Sequence, residues 1–260
     1  EENRQIANEV PHEFKHIESI DFDHVWFSYD NNDVYALEDF MLSIKAGEFI
    51  GIVGPSGSGK STLLSLLMGL YKPTKGAIYI NDIDIANYDS SVLRHLMGYV
   101  FQQAYLFKGS IKDNLTLFDT SISFDDMVDA AKQVNLDSMI EQLPEGYNTP
   151  VGYLGSLLSD GQKQLLVFGR TLIRKTPILL LDEATANIDS HTEKQIQASI
   201  ENIRGSKTIV SIAHRLSTVK DANKIVYMEY GKIIEIGSFD ELINLKGTFY
   251  NLWNNQHSGS

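Results

Sequence analysis

Residues Gly54-Pro55-Ser56-Gly57-Ser58-Gly59-Lys60-Ser61-Thr62 constrain what this chain can fold into more than any other segment. They match the pattern G-x-x-x-x-G-K-[ST], and they lie between a β-rich run and an apolar helical one, the context that pattern needs. Gly54, Gly57 and Gly59 let the backbone turn its N–H groups inward around phosphate oxygens, and a helix starting near Lys60 adds its positive dipole end. Lys60 is placed to meet the β- and γ-phosphates of a nucleotide and Ser61 to ligate Mg2+. A glycine-rich loop that merely turns is the bland alternative, and the flanking strand and helix argue against it.

Such a cradle needs a carboxylate for the metal and a group to aim water. Ile178-Leu-Leu-Leu181-Asp182-Glu183 offers both. Four apolar residues make a buried strand that delivers Asp182 to the C-terminal edge of a sheet, where open α/β sheets bind ligands. Asp182 then faces Mg2+, and Glu183 is placed as general base. One acidic residue at a strand end is commonplace; an Asp-Glu pair after a fully apolar run is not.

The rest of the chain fits an α/β fold with a mainly parallel sheet. Ile20–Tyr29, Phe40–Ile44, Phe49–Val53, Ala77–Ile80, Ile178–Leu181, Thr208–Ala213, Ile225–Glu229 and Lys232–Glu235 read as strands. Helices are expected after Lys60, through Phe124–Gln142, over Ser159–Arg174 and Ser190–Arg204, and near the C-terminus. Residues 110–143 show helical periodicity without a strand, which predicts a helical subdomain, about 104–170, inserted in the sheet domain. Glu1–His16 is polar and irregular, so 1–19 reads as a linker severed from something upstream, 20–256 as the domain, and 257–260 as a tail.

Composition narrows the function further. The net charge of −12 over 260 residues argues against a partner gripped through its phosphate backbone, so no nucleic acid is expected. The absence of cysteine removes disulfide and thiolate chemistry. The longest apolar runs, Leu63–Leu67 and Ile178–Leu181, fall far short of the roughly 18 to 20 residues that cross a bilayer.

Leu158-Ser159-Asp160-Gly161-Gln162 resembles the L-S-G-G-Q signature of ATP-binding cassette (ABC) proteins. Alone, Ser and Gly before a helix are an ordinary N-cap; shortly before Ile178 they stand where that family has its signature. The resemblance covers roughly Ile20 to Leu252. It implies an ABC ATPase fold with an antiparallel β subdomain and an inserted helical one, ATP and Mg2+ as cofactors, and a head-to-tail dimer with a second nucleotide-binding domain, whose P-loop nucleotide is gripped by Ser159, Asp160, Gly161 and Gln162. It also implies that Tyr29 stacks on adenine, that Gln102 senses Mg2+ and water, that Asp189 of Ala186-Asn-Ile-Asp189 crosses the dimer interface, and that His214 contacts the γ-phosphate. The partner to be driven is a transmembrane domain, at the cytoplasmic side of the cell membrane. Thr149-Pro-Val-Gly-Tyr-Leu-Gly155 and Gly109-Ser-Ile-Lys-Asp-Asn114 are similar to segments that mark exporters, although Pro150 and Tyr153 replace the two glutamates expected there.

Asp160 departs from the signature, which has glycine at this place. Two unit charges about 4 Å apart repel by roughly 4 kcal/mol at an effective dielectric of 20, so a carboxylate beside a partner's γ-phosphate impairs that site. Alternatively Asp160 only stabilises its helix N-terminus, by about 0.3–1 kcal/mol. The first alternative suits a heterodimer with one degenerate ATP site, and the chain is similar to the subunit of heterodimeric bacterial multidrug exporters that keeps its own catalytic glutamate. Two other classes compete with an export motor. A soluble cassette protein on DNA or ribosomes is disfavoured by the short stretch between Gln102 and Leu158, which leaves no room for a long coiled coil. A regulatory module that holds ATP without hydrolysis usually lacks the base or the histidine, and Glu183 and His214 are both present.

Overall fold

The structure, a computed structural model, describes residues 17–30, 34–184 and 188–257. Among them, ten strands form two sheets. An antiparallel sheet is built from β1 (Ser19–Phe27), β2 (Leu37–Lys45), β4 (Lys75–Ile80) and the short β5 (Ile83–Asp84), in the order β2-β1-β4-β5. The second has the order β10-β9-β3-β8-β7-β6, with β3 (Phe49–Val53), β6 (Met97–Val100), β7 (Ile178–Asp182), β8 (Thr208–Ile212), β9 (Lys224–Glu229) and β10 (Lys232–Gly237). Every neighbouring pair in it is parallel except β9 and β10.

The apolar runs explain this second sheet. Strands buried on both faces need continuous hydrophobic sequence, and β3 and β8 are buried at every residue. Alternate side chains then serve two cores. Ile178 and Leu180 join Ile50, Ile52, Val210 and Ile212 against α1 (Lys60–Leu67) and the antiparallel sheet. Leu179 and Leu181 face the opposite way, into a core shared with α6 (Asp160–Ile173) and α7 (Ser190–Ile203).

In β1 the apolar residues do not alternate strictly, since Phe22 and Val25 are three apart. The register shifts between them, and His24 takes φ 46°, inserting one residue so that Phe22, Val25 and Phe27 stay buried. Asp39 of β2 is likewise left-handed, at φ 51°, and its Oδ1 lies 2.6 Å from His24 Nδ1. Hydrogen bonding to that carboxylate, and its charge, raise the His24 pKa.

Between β6 and β7 the described chain is helical: α3 (Ile111–Thr116), α4 (Phe124–Gln133), α5 (Asp137–Glu141) and α6. The single helix expected over Phe124–Gln142 is two. Asn135 turns left-handed at φ 58°, and the Leu136 N–H closes on the Ala131 carbonyl at 2.8 Å, ending α4. Gly169 lets α6 approach α3, since a Cβ there would meet Leu115 Cδ2 at 3.1 Å. The half-buried Arg170 of α6 donates to the Asn114 and Tyr105 carbonyls at 2.8 and 3.1 Å, and burial pushes its pKa down to about 10. The two segments similar to exporter motifs pair with each other: Ile111 N–H donates to Thr149 O and Val151 N–H to Gly109 O, each at 3.0 Å.

The structure refines the expectation at three places. The domain begins earlier than residue 20, because Ile17 is buried in the core and β1 starts at Ser19; of the expected linker, residues 1–16 lie outside the described residues, as do 258–260 of the expected tail. Strand β6 carries no strong strand signal, being four residues long with Gly98 inside it. A Cβ on Gly98 would meet Thr171 Cγ2 at 2.3 Å, so glycine here serves close packing of strand on helix. The C-terminal helical region is two helices, α8 (Phe239–Leu245) and α9 (Thr248–His257), separated at Lys246, which is left-handed at φ 53°. The remaining helix, α2 (Ser90–Leu96), precedes β6.

Candidate functional site

Parallel strands bring their C-terminal ends to one sheet edge, and that edge collects the chemistry. β3 runs into residues 54–59, β7 ends in Asp182 and Glu183, and β8 leads to Ala213 and His214. A cavity of about 550 Å³ opens there, within the usual range of about 300–1,000 Å³ for small-molecule sites. Tyr29, Gly54, Lys60, Ser61, Glu183 and His214 line it.

The loop into α1 is glycine-dependent at two places. Gly54 has φ 147° and a Cβ there would meet Met228 O at 2.1 Å; Gly59 has φ 98° and a Cβ would meet Ala36 O at 2.4 Å. No side chain fits at either position. Lys60, largely buried, folds back under the loop, donating from Nζ to Gly54 O at 2.9 Å, Pro55 O at 2.8 Å and Ser58 Oγ at 3.4 Å. Burial lowers its pKa, and the Glu183 and Asp182 carboxylates act in the opposite direction. A cation stripped of water and bonded only to neutral oxygens is well prepared to take up phosphate oxygens in exchange.

The acidic pair is held by two residues from β6 and its C-terminal extension. Tyr99 donates its hydroxyl to Asp182 Oδ2 at 2.7 Å, and Gln102 donates Nε2 to Glu183 Oε2 at 2.6 Å. Burial, then that hydrogen bond, raises the Tyr99 pKa, so the phenol stays a donor. With one oxygen of each carboxylate so engaged, the other is left for metal or water. Glu183 sits at φ 48°, in a left-handed conformation that costs a non-glycine residue of order 1–3 kcal/mol. Its N–H donates to Ile212 O at 3.0 Å, holding this turn to β8.

Tyr29 presents a ring more than half exposed at the cavity mouth. Its hydroxyl lies 2.9 Å from Thr62 Oγ1, and its ring meets Phe27 and Tyr71 edge to face at 4.8 and 5.3 Å. The tether ties an aromatic face to the start of α1, although it engages Thr62 with Tyr29.

Two expected site segments are elsewhere. Ser159, Asp160, Gly161 and Gln162 open α6 outside this cavity. Ser159 caps the helix, its Oγ accepting the Gln162 N–H at 3.2 Å while Gln162 Oε1 accepts the Ser159 N–H at 2.9 Å. Asp160 Oδ1 pairs with Lys163 Nζ at 3.0 Å and lines a second cavity, of about 330 Å³, with Gln102. Asp189 caps α7: its Oδ1 accepts the His191 and Thr192 N–H groups, both at 3.0 Å, and its Oδ2 the Thr192 hydroxyl at 2.7 Å. Those bonds, the Thr192 hydroxyl foremost, hold its carboxyl below the usual range. Ala186 and Asn187, before it, lie outside the described residues.

Sequence reasoning missed Tyr99, Tyr71 and Gln256. Tyr99 and Tyr71 stand close to recognised motifs, but nothing in a strand tyrosine or a post-helix tyrosine marks a partner distant in the chain. Gln256 comes from α9, more than forty positions beyond His214.

Comparison with known proteins shows what the chain is similar to. A family profile described as ABC transporter matches residues 37–186. The chain is 43% identical over 238 residues to a putative ABC transporter ATP-binding protein, exp8, of Streptococcus pneumoniae, covering 92% of this chain and 40% of that one. It is 44% identical over 234 residues to the toxin RTX-III translocation ATP-binding protein of Actinobacillus pleuropneumoniae, covering 90% and 33%, and 37% identical over 241 residues to the mycobactin import ATP-binding/permease protein IrtB of Mycobacterium tuberculosis, covering 93% and 42%. A solved structure of a bacterial Atm1-family ABC exporter with ATP bound superposes with TM-score 0.86 at 38% identity, over 93% of this chain and 42% of that one. The chain thus spans well under half the length of these relatives.

Proposed function

Since this chain belongs to the ABC transporter family, we propose that it is the ATP-binding and ATP-hydrolysing part of an exporter, driving a transmembrane domain from the cytoplasmic side of the membrane. No helix among the described residues is long and apolar enough to cross a bilayer, so the membrane-spanning work falls to another segment or chain. The observation that carries the proposal is the division of the site. Lys60, Glu183 and His214 share one cavity, whereas Ser159–Gln162 open a helix outside it.

That division supports a head-to-tail pair. The capping box uses the N–H groups of Ser159 and Gln162, and the first N–H groups of α6 have no partner within the helix. Those of Asp160 and Gly161 can grip an anion presented by another subunit. Ser61 and Asp182 fit Mg2+, a hard cation usually bound by one or two protein oxygens plus substrate phosphates rather than by a protein cage. When bound, Mg2+ neutralises phosphate charge. The chain's own groups bind the triphosphate through the 54–62 loop, stack adenine on Tyr29, accept a proton from water at the free Glu183 oxygen, and hold the terminal phosphate at His214. Sedimentation should show dimers of the Asp160→Gly chain, in which no carboxylate stands in the signature, with MgATP and monomers without it. A monomer at saturating MgATP, with binding verified, removes the head-to-tail arrangement.

Asp160 favours a heterodimer with one weakened ATP site. Its side chain is about four-fifths exposed and paired with Lys163, so solvent and the ammonium screen the repulsion well below the bare Coulomb figure of about 4 kcal/mol. Some penalty on a partner's γ-phosphate remains. Asp160→Gly is therefore expected to raise the ATPase rate of the chain paired with itself by about tenfold, the equivalent of about 1.4 kcal/mol. An unchanged rate shows Asp160 to be a helix N-terminal residue and nothing more.

A further inference from the structure

Helix α9 reaches the nucleotide cavity from the far end of the chain. Gln256, in its last turn, donates from Nε2 to the His214 carbonyl at 3.0 Å and accepts the Leu216 N–H at Oε1 at 3.2 Å. Both arms of one amide are spent on main-chain groups two residues apart, which sets the orientation of that short segment as well as its place. Gln256 and Leu252 of the same helix line the cavity alongside Lys60 and His214.

The helix that delivers Gln256 is itself fixed. The Glu235 carboxylate of β10 caps its other end, accepting the Thr248 N–H at 2.5 Å and the Phe249 N–H at 3.1 Å, the favourable place for a negative charge on a helix. Phe249 is fully buried, and the Trp253 ring stands edge to face with Phe239 at 4.6 Å. The chain around His214 has anchors on either side. Ala213 N–H donates to Ile52 O at 3.0 Å before it, and Arg215 pairs with Glu193 after it. At His214 itself the main chain is held by Gln256.

We infer that Gln256 is a positioning residue for His214, and that α9 is a strut through which the edge of the sheet sets where the imidazole stands over the cavity. The inference rests on the reading of His214 as a contact to the terminal phosphate. A displacement near 1 Å of a group acting at the reacting centre can cost up to about a hundredfold in rate; loss of two hydrogen bonds in a turn anchored on both flanks should cost about tenfold.

The test is a double-mutant cycle on the full chain, with kcat, ATP affinity and melting temperature measured for each variant. Gln256→Ala is expected to lower kcat about tenfold, with ATP affinity within about threefold and the melting temperature within about 2 °C of the parent. Gln256→Glu, which keeps an acceptor for Leu216 N–H but has no donor for the His214 carbonyl, should be at least as slow. On a His214→Ala background Gln256→Ala should add less than about twofold. Equal losses in both backgrounds, or a parental rate for Gln256→Ala where His214→Ala is slow, overturn this inference alone. A parental rate for His214→Ala overturns the role of His214 and this inference with it.

Discussion

Lys60→Ala is expected to weaken MgATP binding by about 10² to 10⁴-fold, measured by titration calorimetry. The ammonium is largely buried and hydrogen-bonds three neutral oxygens of its own loop, so no anionic oxygen is bonded to it until a phosphate arrives. Hydrogen bonds to charged groups are worth about 1.5–3 kcal/mol each, and two to phosphate oxygens make about 3–6 kcal/mol, with tenfold in affinity for every 1.4 kcal/mol. Because Lys60 also braces residues 54–58, the melting temperature of the variant has to be followed alongside. A folded Lys60→Ala chain that binds MgATP within threefold of the parent would falsify the phosphate cradle and every role built on it.

Glu183→Gln separates binding from chemistry. The substitution keeps size and shape, and its amide oxygen can still accept the Gln102 hydrogen bond made at 2.6 Å, so the turn after β7 should hold. What is lost is basicity at the oxygen that meets water. General-base catalysis contributes about 10² to 10⁴-fold, and kcat should fall by that much with ATP affinity almost unchanged and the MgATP dimer longer-lived. Turnover within threefold of the parent would transfer the role of base to another group lining the cavity, such as His214.

Both expectations start from motifs that are local in sequence. Residues 54–62 work because neighbouring peptide units must point inward together, and the need for glycine at 54 and 59 is met by contacts that no other side chain clears. The runs in β3 and β7 are legible for the same reason: a strand buried on both faces is a near-continuous apolar run. Less legible were β6 and the break at Asn135. Strand β6 is made by its pairing with β7 and by the space that Gly98 leaves for Thr171. The break depends on one residue turning left-handed where helical periodicity continues on both sides.

The placement of the site followed the same divide. The loop that carries Lys60 and Ser61, and the strand that carries Asp182 and Glu183, are written in the chain, since the chemistry and the local conformation use the same few residues. Tertiary structure alone decided that Tyr99 and Gln102 hold those two carboxylates and that Gln256 holds the turn at His214. Each of these is a polar contact a few ångströms long between residues far apart in sequence. Hydrophobic periodicity reports which face of an element is buried; it carries no information on which distant donor will stand opposite a given acceptor, because that is settled only when the packed elements fix their mutual register.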